Sequence, residues 1–174
     1  MPKLDENTQA VVNDLKDWAI DEGIMSIKLP QDPNLAFGFE LKFPPNAPAQ
    51  KKLLLLGPLG KDFIVLQLGT QMAPEHVEIF QNSPVERQVK FFSEMKKFFY
   101  ARNLLYNLDA ENFRWAVSDQ IYYGSLTKDF FLRTMRSVFN ASLYVDEIMG
   151  EIILGGAGFG GSSGPTGPSS SLYL

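Results

Sequence analysis

The chain has 174 residues, no cysteine, one histidine and a formal net charge of −4. The missing cysteines exclude disulfides, thiolate nucleophiles and thiolate metal sites, and the acidic balance argues against general nucleic-acid binding. With 45% apolar residues and 14 phenylalanines, the composition is that of a folded domain with a proper core.

The opening "MPKLDENTQAVV" is polar and acidic and has no signal-type apolar core. No apolar run approaches the roughly 18 residues of a membrane span, and Leu53–Leu56 is only strand-sized. The sequence predicts a cytoplasmic protein without membrane contact. Over 5–23, Val11, Leu15, Trp18 and Glu22 share a helical stripe, with Asp5 as N-cap and Gly23 as stop. "IMSIKL" and "LAFGFELKF" read as strands joined by the turn "PQDPN". The second places Leu35, Phe37, Phe39, Leu41 and Phe43 on one buried face, with Ala36, Gly38, Glu40 and Lys42 on the other. "KKLLLLG" and "DFIVLQLGTQ" read as a hairpin of central strands, so four strands form an antiparallel meander.

"APEHVEIFQN" reads as a short helix with Pro74 in its first turn. A long helix is expected over "SPVERQVKFFSEMKKFFYARNLLYN", opened by a Ser83–Glu86 capping box, with Val85, Val89, Phe92, Met95, Phe99 and Arg102 on its stripe and Phe91 and Phe98 beside it. "NFRWAVSDQIYYG" reads as one or two strands with a turn near Ser118 and Asp119. In the last helix Thr127 is the cap, Leu126 and Phe131 form a staple, and Phe131, Met135, Val138, Ser142, Val145 and Met149 face inward. Residues 155–174 hold seven glycines, five serines, two prolines and no charge, a composition that predicts a disordered tail.

The expected organisation is one α+β domain over 1–154: an antiparallel sheet of about five to six strands packed against three helices, in the order helix–strands–helix–strands–helix, followed by the tail. This order and the aromatic-rich sheet resemble the type III secretion chaperone-like fold and the related YbjN-like family of bacterial sensory regulators, over residues 5 to 152. The chain has one strand more before the long helix than the usual three. The resemblance implies a non-enzymatic homodimer that binds client polypeptides.

No catalytic constellation emerges. His76, between Glu75 and Glu78, has no trustworthy metal spacing and reads as a surface histidine. "GGAGFGG" lacks the following helix and lysine of a phosphate loop. Arg87, Lys90, Lys96, Lys97 and Arg102 alternate with Glu86 and Glu94 as on an ordinary solvated helix face. Asp14, Asp17, Asp21 and Glu22, and Asp146, Glu147 and Glu151, read as polar faces without a companion group to tune them. No cofactor, no metal and no enzymatic activity are expected.

The tail closes on Leu172, Tyr173 and Leu174. These residues resemble the hydrophobic–tyrosine–any ends of proteasome-activating ATPases and related activators. That likeness implies Leu172 as an apolar wedge, Tyr173 as a docking ring and the Leu174 carboxylate as an ionic anchor in a ring partner. A tether of about 17 residues spans roughly 20–25 Å as a coil and about 55 Å extended. Strand addition to a PDZ-type partner, folding back on the chain's own domain, and a remnant of cloning remain open. The functional expectation is a chaperone- or adaptor-like binding protein. Its alternative is a small-molecule sensor or enzyme with an apolar pocket between sheet and helices.

Overall fold

The computed structural model describes residues 5–48, 50–153 and 155. Helix α1 (Glu6–Asp21) opens on Asp5, whose carboxylate accepts from the Thr8 N–H at 2.9 Å and the Thr8 hydroxyl at 2.7 Å. The Thr8 N–H and then its hydroxyl hold the Asp5 carboxyl below its ordinary range. Gly23 stops the helix with φ +65°, a left-handed conformation that favours glycine.

Strands β1 (Met25–Lys28), β2 (Leu35–Phe43), β3 (Lys51–Pro58) and β4 (Phe63–Gln71) form the expected antiparallel meander. The second face of β2 is more buried than alternation predicts. Glu40 is only 8% exposed. Its carboxylate accepts from the Ser26 hydroxyl at 3.2 Å and meets Lys52 Nζ at 3.2 Å, so the buried charge is partnered on both oxygens.

Helix α2 (Pro74–Asn82) has Pro74 in its first turn. Helix α3 (Val85–Ala101) departs from expectation at both ends. Ser83 does not cap it: its hydroxyl donates to the Phe80 carbonyl at 2.7 Å and so finishes α2, while Pro84 takes the N-cap position without a side-chain bond. At the other end Asn103 adopts φ 55°, and "LLYN" leaves the helix to enter strand β5 (Leu105–Asp109). The buried stripe is Phe91, Met95 and Phe99; Val85, Val89 and Arg102 lie outside it and are exposed. Strand β6 (Arg114–Tyr122) runs unbroken through Ser118 and Asp119, where a turn was expected. Helix α4 (Lys128–Ile152) follows a short 3₁₀ turn, and the Phe130 N–H donates to Thr127 Oγ1 at 3.2 Å. All six residues of its expected stripe are buried.

The sheet is six-stranded and antiparallel, ordered β1-β2-β3-β4-β6-β5. The described residues hold four α-helices, the short α2 included, against the three of the expected architecture. They fall into two compact units: residues up to Leu68 with Ser118–Phe139, and Gly69–Val117 with the residues from Asn140. In the first, Leu15, Phe39, Leu41, Leu53, Leu55, Ile64 and Leu66 form the core, with Trp18 against Phe131 at 6.1 Å and Phe43 edge-on to Phe139 at 4.8 Å. The second is built on aromatics. Phe80 meets Phe91, Phe92 and Phe113 edge-on, Phe91 meets Trp115 at 6.0 Å, and Phe98 stacks on Tyr144 at 3.9 Å. No helix among the described residues is long and apolar enough to cross a membrane.

Candidate functional site

The first unit carries an open groove of about 840 Å³ between α1 and the start of β2. Its floor follows from one glycine. On β3, Gly57 pairs with Phe37 of β2, and the Phe37 ring lies over it. A Cβ on Gly57 would stand 2.2 Å from Phe37 Cε1. The ring therefore lies down on the neighbouring strand and leaves space beside α1. On the other face of β2, Leu29 leans over Gly38, with its Cδ1 3.0 Å from where a Cβ would be. Phe37 and Phe39 meet at 5.8 Å and continue the floor.

The wall on the α1 side is small or polar: Gln9, Ala10, Asn13 and Lys16. Gln9 Nε2 donates to Asn13 Oδ1 at 3.0 Å, and Lys16 Nζ stands 5.6 Å from the centre of the Phe39 ring, a cation–π placement. The opposite rim is the β1–β2 turn, with Lys28, Pro30, Gln31 and Asp32. Asp32 Oδ1 accepts from the Asn34 N–H at 2.7 Å and fixes that turn. The rims thus mix cations and anions above an aromatic and aliphatic floor. Such a groove can bury apolar side chains of an extended ligand while its rims hydrogen-bond the backbone.

Two smaller hollows fit local structure. One of about 640 Å³ lies at the start of α1, with Asp5, Thr8, Asp62 and Tyr123. Asp5 already serves as the cap, and burial pushes the Tyr123 phenol up. One of about 140 Å³ in the second unit adjoins Asp109 and Arg114. There the carboxylate binds Arg114 NH2 at 2.6 Å and the Asn112 N–H at 3.1 Å, closing the β5–β6 hairpin; Arg114 first, then Asn112, keep Asp109 below its ordinary range.

His76 is half-buried in the first turn of α2, between exposed Glu75 and Glu78. Among the described residues no group of three or more His, Asp or Glu could hold a metal ion. Asp21 and Glu22 meet Lys128 at 3.4 and 3.1 Å. Leu172, Tyr173 and Leu174, with the tail before them, lie outside the described residues. The expectation of an apolar pocket between sheet and helices did not place this groove, and Gly57 inside a strand was the signal that could have found it, because glycine there marks a close approach.

The fold has counterparts of known structure. A crystal structure described as an uncharacterized protein from Methanothermobacter thermautotrophicus superposes with TM-score 0.73 at 24% identity, over 84% of this chain and 99% of that one. A chain from the crystal structure of the ExsC–ExsE complex superposes with TM-score 0.54 at 18% identity, over 83% of this chain and 97% of its own. Both identities are low enough that they speak for the fold alone. The second gives the expected chaperone-like resemblance its coarse counterpart, a similar fold solved in complex with another protein. Among curated proteins no relative matches. The family model described as "Uncharacterized conserved protein (DUF2299)" matches residues 11–149, and the chain belongs to that family.

Proposed function

We propose that this chain is a non-catalytic, chaperone-like protein whose groove between α1 and β2 holds an extended segment of a client polypeptide. The carrying observation is that open groove, floored by Phe37 and Phe39 and rimmed by Lys16, Lys28, Glu6 and Asp32. Aromatic and aliphatic floors accept varied apolar side chains, and mixed-charge rims favour no single small ligand. The similarity to a chain of a protein–protein complex supports the reading.

Two further parts belong to it. The chain pairs with a second copy through β5, an edge strand whose only charge, Asp109, is already bound to Arg114 and whose Leu105 is exposed. Leu172, Tyr173 and Leu174 dock to a further partner in the cytoplasm, with a proteasome-type ring as the candidate.

Asn13→Trp tests the groove, because Asn13 is exposed and the new ring fills the space without entering the core. Labelled peptides of about nine residues, extended to roughly 30 Å, are titrated by fluorescence anisotropy. The variant should lose their binding at an unchanged melting temperature. Unchanged binding removes the groove from the proposal. A metabolite that raises the melting temperature, with peptides inert, favours the small-molecule alternative. Removing residues 172–174 should abolish one interaction and leave circular dichroism and melting unaltered.

A further inference from the structure

Helix α3 keeps two valines where the fold gives them nothing to pack on. Val85 and Val89 stand one turn apart, 67% and 62% exposed, and Tyr100 on the same side, edge-on to Tyr106 at 5.6 Å, is 71% exposed. At about 100° per residue, Val85, Lys96, Val89 and Tyr100 fall within roughly a 60° arc along some 23 Å of helix. β-Branched residues are mediocre helix formers, and an exposed pair adds neither propensity nor burial to this chain's own stability.

The charge on this helix also runs against the rest of the molecule. In a chain of net charge −4, α3 carries Arg87, Lys90, Lys96 and Lys97 against Glu86 and Glu94. Lys97 is held by Glu94 at 2.8 Å. Arg87, Lys90 and Lys96 form no ion pair among the described residues. Lys96 lies within the apolar strip; on its outer flank Glu86 comes first, and Lys97 and Lys90 lie beyond it.

We infer that this face of α3 docks an acidic amphipathic helix of a partner protein. A straight strip over four turns, with Val85 and Val89 one turn apart and Tyr100 three turns beyond, matches the length of a second helix. Lys96 within the strip and Lys90 beyond it, set against Glu86, favour carboxylates on that partner. A membrane surface fits less well, because the strip has no Trp, Phe or Leu to insert. A second copy of α3 would bring like cations together. The inference goes beyond the groove and does not rest on it.

The test uses the intact chain and labelled helical peptides of about 18 residues, sharing one leucine seam and carrying Glu, Gln or Lys on the flanks. The Glu peptide should bind about tenfold more tightly than the Lys peptide, and added salt should weaken it. Val89→Ser and Lys96→Glu should each lower its affinity about fivefold or more at unchanged circular dichroism and melting. Equal binding of the Glu and Lys peptides overturns the inference, as does full affinity in both variants. Stronger association with phosphatidylserine vesicles than with the Glu peptide assigns the face to a membrane instead. Self-association of the chain that Val89→Ser abolishes assigns it to a second copy.

Discussion

Replacing Gly57 by alanine puts one methyl group where the Phe37 ring now lies. The new Cβ would stand 2.2, 2.5 and 2.6 Å from Cε1, Cζ and Cδ1 of that ring, distances no van der Waals contact permits. Strand β3 is held by β2 and β4 on both sides, so the ring must move rather than the backbone. The free volume lies on the groove side, and the ring should swing there. Forcing a packed side chain off its place costs about 1–3 kcal/mol. At roughly 2–4 °C per kcal/mol for a chain of this size, a 2 kcal/mol loss lowers the melting midpoint by about 4–8 °C. The displaced ring also narrows the groove, so peptide affinity should fall with stability. Thermal unfolding and anisotropy titration measure the two. Adding Phe37→Leu removes Cε1 and Cζ, the two closest of the clashing atoms, so the double variant should be more stable than the sum of the single losses by about 1 kcal/mol. Parent-like melting and binding in Gly57→Ala, or strict additivity in the pair, would refute the account of the groove floor.

Other outcomes follow from the same packing and charge. Phe91→Ala removes the fully buried ring that joins Phe80, Phe92 and Trp115, and should cost about 3–5 kcal/mol in denaturant unfolding. Asp5 and Asp109 both titrate below their ordinary 3.8 in the fold, Asp5 through Thr8 and Asp109 chiefly through Arg114. Their stabilisation is complete above that value and is lost as pH falls through the lowered folded values. Asp109→Asn should therefore flatten the acid fall of the melting midpoint. Lys128 titrates above its ordinary 10.5, held there first by Glu22 and also by Asp21. Its contribution is intact below 10.5 and is lost as pH rises through the higher folded value, so Lys128→Met should flatten the alkaline limb of the same curve.

The sequence foretold elements whose local signals agreed with their packing. Strand β2 was readable to the residue because Leu35, Phe37, Phe39, Leu41 and Phe43 alternate without interruption. The α4 stripe was readable because Phe131, Met135, Val138, Ser142, Val145 and Met149 recur at helical spacing and all are buried. Strand β5 was hidden because "LLYN" continues the apolar run of α3, and the break falls on Asn103, a residue less diagnostic of a left-handed turn than glycine. Ser118 and Asp119 suggested a turn because both residues favour turns; neighbouring strands override that preference in β6. Ser83 fitted a capping box on spacing alone, yet the sharp corner after α2 brings its hydroxyl back to Phe80. The groove could not be read from any one segment. It depends on Phe37 meeting Gly57 across two strands.

The central claim is that the space between α1 and β2 receives an extended polypeptide. Amide ¹H–¹⁵N spectra of the intact chain, recorded during titration with an unlabelled apolar peptide of about nine residues, test it most directly. Saturable shifts confined to residues 9–16 and 28–39, and absent in Asn13→Trp, are the predicted result. Shifts that map elsewhere, or none at millimolar peptide, would contradict it.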